Sequence, residues 1–110
     1  MEAIEEKQNG NSIIKLFGRL DSNTSPDFEK KISEVIADGT RFLIVDCEGL
    51  DYISSAGLRV LLKAAKELKR SEGKIVLCSM RDYIKEVFEI AGFVTIFPIV
   101  ANLEHALKAL

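Results

Sequence analysis

The residues able to do chemistry in this chain are few, and the most suggestive are two adjacent hydroxyls, Ser54 and Ser55, in the run Asp46-Cys47-Glu48-Gly49-Leu50-Asp51-Tyr52-Ile53-Ser54-Ser55-Ala56-Gly57-Leu58-Arg59. A serine there could accept a phosphoryl group, act as a nucleophile, or simply cap a helix. Nucleophilic hydrolysis needs a base and a sharp glycine-flanked turn. The glycine two residues before Ser55 is missing, and His105 is the chain's single imidazole. Asp46 follows an apolar run and could carry an acyl phosphate as a receiver-like domain does, but that chemistry also needs a pair of acids after the first strand to hold magnesium. Near the corresponding turn stands only Asp21, preceded by Arg19. The Gly-rich loop and lysine of a phosphate-binding P-loop are absent. Cys47 and Cys78 have no C-x-x-C spacing and end two apolar runs, which fits core packing better than a disulfide or a zinc site. The sequence therefore predicts a non-enzyme without metal or cofactor.

The elements that must hold these residues follow from the hydrophobic pattern. Alternation over Ala3–Lys7 and Ser12–Phe17, separated by Asn9-Gly10, predicts an opening hairpin. Ser25-Pro26-Asp27 predicts a helix with Ser25 as its N-cap, carrying Phe28, Ile32, Val35 and Ile36 and closing at Gly39. Phe42–Val45 reads as a central strand covered on both faces, followed by a loop from Glu48 to Ile53. A second helix starts near Ser54 or Ser55 and runs to Gly73, with Leu58, Leu61, Ala65 and Leu68 inward. Ile75–Cys78 repeats the buried-strand pattern. A third helix through Ile84, Val87, Phe88 and Ala91 is followed by a short last strand at Thr95–Phe97 and a final helix capped by Asn102. Strand and helix alternate after the hairpin, which implies parallel strands with helical crossovers. The expected fold is a single α/β domain over 1–110, with about five strands in a mixed, mainly parallel sheet and about four helices packed on it.

Composition bounds the function. The chain of 110 residues has 47% hydrophobic residues and a formal charge of -2, enough for one core and no general attraction to nucleic acid or anionic lipid. Its start lacks a secretory signal pattern and no apolar stretch approaches the roughly 20 residues of a membrane span, so a soluble cytoplasmic monomer is expected.

A helix start presents unpaired N–H groups and a partial positive charge, so Ser55 is a place where a phosphate is tolerated without unfolding. At about 100° per residue, Ser55 shares a side with Arg59, Leu62, Lys63, Lys66 and Arg70. Taken locally, Ser54 and Ser55 read equally as a cap and its neighbour, Asp21 as the first residue of a turn with Ser22 and Asn23, and the basic stripe as a solvated face.

The whole chain resembles the anti-sigma factor antagonists of the STAS-domain family. Gly18-Arg19-Leu20-Asp21 is similar to that family's Gly-x-Leu-Asp at the end of the second strand, and Ser55-Ala56-Gly57-Leu58 falls on its serine segment. The resemblance departs at Ser54, where an aspartate usually stands, and at Ala56, where a second hydroxyl usually stands. It implies a STAS fold and a regulatory binding protein whose unphosphorylated form binds an anti-sigma factor with serine kinase activity, freeing a sigma factor. Ser55 would take the phosphate, with Ser54 ranked behind it, and a serine phosphatase would reset the cycle. The resemblance further implies a partner surface made of Asp21, Ser54, Ser55, Ala56, Gly57, Arg59, Leu62 and Lys63, with Asp21 beside Ser55. A STAS scaffold serving another partner is the alternative within the same fold.

Overall fold

In a computed structural model, residues 1–8 and 11–110 are described; the Asn9-Gly10 turn expected from the sequence lies outside them. The first strands are β1 (Glu2–Gln8) and β2 (Asn11–Leu20), followed by α1 (Ser25–Ala37), β3 (Phe42–Ile53), α2 (Ser55–Arg70) and β4 (Lys74–Cys78). After α3 (Asp82–Ile90) come a 3-10 turn (Phe93–Thr95), β5 (Ile99–Val100) and α4 (Leu103–Lys108). β1 runs antiparallel to β2, and every later pair in the order β1-β2-β3-β4-β5 is parallel. The expected mixed, mainly parallel sheet and four helices are present.

That strand order explains the layers. Parallel crossovers are right-handed, and the order from β2 to β5 never reverses, so α1, α2 and α3 must all land on one face. They do: Phe28, Ile32, Val35, Leu58, Leu61, Leu68, Ile84 and Phe88 share one core with the inward residues Ile14, Leu16, Leu43, Val45 and Leu77. The other face would be bare without α4, whose Ala106 joins Ile13, Ile44, Val76 and Cys78 in a smaller cluster. Covering on both faces is why Phe42–Val45 reads as an unbroken apolar run.

Besides α2, which ends at Arg70 rather than Gly73, three boundaries differ from expectation. The stretch expected as a loop from Glu48 to Ile53 is the second half of β3, because Leu50 and Ile53 are buried while Asp51 and Tyr52 are exposed and Gly18, Arg19 and Leu20 pair with Leu50, Tyr52 and Ile53. Register shifts between Lys15 and Phe17 and between Gly18 and Arg19 absorb the irregular alternation; at the first, the Phe17 ring lies over Gly49, where a side chain would collide with it. The last strand is at Ile99–Val100 rather than Thr95–Phe97, since Phe97 turns inward to meet Phe88 at a centroid distance of 6.0 Å and edge-to-face stacking of this kind is favourable. The N-cap of α1 is Thr24, not Ser25; the Ser25 hydroxyl instead donates to the Asp21 carbonyl at 2.6 Å.

Among the described residues no helix is long and apolar enough to cross a membrane, and no group of three or more His, Cys, Asp or Glu side chains is placed to hold a metal ion.

Candidate functional site

The site forms where β2 and β3 end together. Leu20 and Ile53 are the last paired residues of the two strands, and both are buried. One further bond ties the chains leaving them: the Ser54 N–H donates to the Leu20 carbonyl at 2.9 Å. The sequence neighbours Asp21 and Ser55 are thereby brought to the same carboxyl edge of the sheet, the usual place for ligands and partners in an open α/β fold.

Ser54 and Ser55 then separate into different roles. Ser54 is the N-cap of α2, in extended backbone, and its hydroxyl oxygen accepts from the Gly57 N–H at 3.5 Å. Ser55 is the first helical residue and is exposed. Its hydroxyl has no hydrogen-bond partner among the described residues, so nothing in the fold competes with a reagent for it. Gly57 is buried because α2 starts close above the strand ends: a Cβ there would stand 2.7 Å from Leu20 Cγ and 3.0 Å from Ile53 Cγ1. A glycine two residues on from Ser55 thus sets how deeply the helix start sits.

Asp21 is engaged in a turn. Its Oδ1 accepts from the N–H groups of Asn23 at 3.0 Å and Thr24 at 3.2 Å and from the Thr24 hydroxyl at 3.3 Å. Partial burial raises the carboxyl pKa, but the backbone bonds from Thr24 and Asn23, the Thr24 hydroxyl and the Arg19 charge together hold it below the ordinary 3.8. The turn reading of Asp21 is therefore realised. Among the described residues no hydrogen bond joins the Ser55 hydroxyl to Asp21.

Two neighbours escaped the sequence reading. Arg19 places its guanidinium carbon 4.2 Å from the centre of the Tyr52 ring, and its Nε lies 3.7 Å from Asp21 Oδ2, so one side chain straps the end of β2 to that of β3. Arg81, on the far side of β3, donates to Asp51 Oδ1 at 2.7 Å and to the Glu48 carbonyl at 3.3 Å. The signal for the first was present only as register: Arg19 and Tyr52 are cross-strand partners, and that pairing was invisible while 48–53 read as a loop.

The basic stripe of α2 divides. Ala56, Arg59 and Lys63 line a groove of ≈ 470 Å³ against α1, whose opposite wall carries Ser22, Pro26 and Glu29, and Lys63 Nζ pairs with Glu29 Oε2 at 3.2 Å. Leu62 faces the other way, half-buried against the main core, and lines a different hollow with Lys66. It is not brought to the Ser55 surface, because α1 and β4 flank α2 on opposite sides. Asp46 is buried in mid-strand on the α4 side, and its Oδ1 accepts from the Glu48 N–H at 3.1 Å; β3 continues to Ile53 beyond it, so it does not occupy the strand-end position of a receiver's aspartate. Both thiols are buried and free. Desolvation, with the neighbouring Cys78 and Asp46, pushes the Cys47 thiol far up. Desolvation raises the Cys78 thiol to about 11, Ser79 opposing and Asp46 and Glu48 adding to the rise.

Known proteins match this arrangement along its length. The STAS domain pattern matches residues 3–106. A Bordetella bronchiseptica protein, BtrV, provisionally named an anti-sigma factor antagonist, is 39% identical over 109 residues, covering 99% of this chain and 94% of that one. The solved structure of an anti-sigma factor antagonist from Mycobacterium paratuberculosis superposes with a TM-score of 0.90 at 25% identity, covering 98% of this chain and 92% of that one. The Bacillus protein SpoIIAA in its phosphorylated form superposes with a TM-score of 0.77 at 25% identity over 98% of each chain.

Proposed function

This chain belongs to the STAS domain family, and we propose that it is an anti-sigma factor antagonist switched by phosphorylation of Ser55. It is a regulatory binding protein rather than an enzyme. The unmodified protein binds an anti-sigma factor with serine kinase activity in the cytoplasm, as a monomer, and so frees a sigma factor; a serine phosphatase restores the unmodified form. Relatives named as anti-sigma factor antagonists, one of them solved in a phosphorylated form, support this reading. The single observation that carries the choice of residue is the exposed, unbonded hydroxyl of Ser55 at the first position of α2, beside a neighbour that is occupied as the cap.

The physics of the switch follows from that position. A phosphate of roughly −1.5 to −2 charges is tolerated at a helix N-terminus, so the fold survives modification. The same charge in a close interface has to be desolvated, and Asp21 at the same edge adds a like charge. A 100-fold loss of affinity needs only about 2.8 kcal/mol, within reach of one uncompensated buried charge. Partner contacts are proposed at Asp21, Ser54, Ala56, Arg59 and Lys63 around Ser55, and at Arg19 and Tyr52 beside them; Gly57, expected among them, is buried and acts by setting the height of the helix start.

The test is a titration of the kinase-type anti-sigma factor, captured on the unmodified chain, with wild type, Ser55→Ala and Ser55→Glu. Wild type and Ser55→Ala should bind alike, with Ser55→Glu weaker by about 100-fold, the change worked above. Equal binding by all three would overturn the switch.

A further inference from the structure

α2 carries a second apolar hollow two to four turns beyond Ser55. Leu62, Ala65, Lys66 and Lys69 fall at the i, i+3, i+4, i+7 spacing of one helix side, and with Ile96 and Lys74 they line a groove of ≈ 570 Å³ between α2, β4 and the segment leading to β5. Its floor is apolar: Leu62 and Ala65 are half-buried against the main core, and Ile96 is 46% exposed. Its rim is cationic. Among the described residues Lys66 and Lys69 pair with no carboxylate, as is also true of Lys30 and Lys85, while five other lysines do; Lys74 lines the groove by its stem only, its Nζ being turned to the Ala109 carbonyl just after α4 at 3.0 Å. Glu67 and Glu72 do not line the groove. In a molecule with a formal charge of -2, this is a local concentration of uncompensated positive charge over exposed apolar surface.

We propose that this groove is a second docking site, taking a short acidic amphipathic helix of a partner protein. The apolar floor would receive residues spaced three and four apart, as in other helix-in-groove recognition, and the Lys66 and Lys69 ammonium groups would pair with carboxylates flanking them. Charge complementarity selects an acidic segment over a neutral or basic one. From Ser55 to Lys66 the helix rises about 16 Å at 1.5 Å per residue, twice the screening length of about 8 Å at physiological ionic strength. Occupancy of this groove is therefore insensitive to the charge state of Ser55, which lets a partner remain attached while the proposed switch opens and closes.

The test uses the full chain and a fluorescein-labelled 16-residue probe peptide with Leu at i, i+3, i+4 and i+7 and Glu between them, read by anisotropy at physiological ionic strength. Wild type and Ser55→Glu should bind it within twofold of one another. Lys66→Glu with Lys69→Glu, and separately Ile96→Asp, should weaken it at least tenfold with unchanged circular dichroism, and amide shifts on binding should centre on Leu62, Ala65 and Ile96. A peptide with Lys in place of Glu should not bind. Absence of binding, equal binding of the basic peptide, or loss in Ser55→Glu alone would overturn the proposal. So would binding of anionic phosphatidylglycerol vesicles without binding of the peptide, which would make the groove a lipid contact. Because the readout uses variants of the groove, its failure leaves the Ser55 switch standing, and failure of the switch leaves the groove standing.

Discussion

Exchanging each of the two serines for alanine separates the structural hydroxyl from the reactive one. In Ser54→Ala the backbone bonds persist, since Ser54 N–H still reaches Leu20 and Leu58 N–H still reaches the Ser54 carbonyl. What disappears is the side-chain bond from Gly57 N–H, leaving that donor at a buried residue without its cap. Losing an N-cap costs typically about 1 kcal/mol, and a 3.5 Å contact is longer than a well-formed hydrogen bond, so the expected loss is about 0.5–1 kcal/mol. Ser55→Ala removes an exposed, unbonded hydroxyl and installs a better helix former, for a change within about 0.5 kcal/mol, stabilising in sign. With a urea slope of about 1.5 kcal/mol/M for a domain of this size, Ser54→Ala should lower the urea midpoint by about 0.3–0.7 M while Ser55→Ala leaves it equal or slightly higher. Equilibrium unfolding followed by circular dichroism reads both. A larger fall for Ser55→Ala than for Ser54→Ala would refute the assignment of cap and first helical residue, and with it the argument that Ser55 is the free hydroxyl.

Gly57→Val should destabilise the protein by about 2–3 kcal/mol through overpacking against Leu20 and Ile53, and should weaken partner binding as the start of α2 is displaced; unfolding and binding measured on one preparation check both. Asp21→Asn should lower stability at neutral pH, and its difference from wild type should close on acidification. Because the folded carboxyl titrates below 3.8, its contribution is complete above that value and is lost as pH falls through the lowered one; urea midpoints from pH 7 to pH 2 give the curve. Cys47 and Cys78 should be silent toward a thiol reagent at pH 8 in the native state and react fully in denaturant, since both are buried and their thiols are held protonated.

Most of the fold was legible because its elements announce themselves locally. Pro26 and Asp27 mark the start of α1, Asn102 caps α4 by accepting from His105 N–H, and buried strands and amphipathic helices alternate in a parallel order. The misreadings came from contacts that are not local. Glu48–Ile53 looks like a loop because its exposed Asp51 and Tyr52 and its glycine break the strand pattern, and only pairing with the end of β2 makes it strand. Thr95–Phe97 has strand composition, yet Phe97 is buried against Phe88 and the preceding residues form a 3-10 turn, so the strand begins only at Ile99. Ser25 is an attractive cap by type, but the Asp21 carbonyl captures both its N–H and its hydroxyl. At the site, a pair of serines at a strand-to-helix junction was legible from the local sequence, and the preference for Ser55 over Ser54 rested on the family resemblance. Arg19, Tyr52 and the turning away of Leu62 were not legible, since each depends on which neighbour lies across a strand or beside a helix.

The central claim is that Ser55 carries the phosphate that controls binding, and peptide mapping tests it most directly. Wild type, Ser55→Ala and Ser54→Ala would be incubated with source-cell extract and labelled ATP, digested, and the modified peptide sequenced by mass. Acid-stable phosphate is expected on Ser55 in wild type and Ser54→Ala, with none in Ser55→Ala. Phosphate on Ser54, or label retained undiminished in Ser55→Ala, would contradict it.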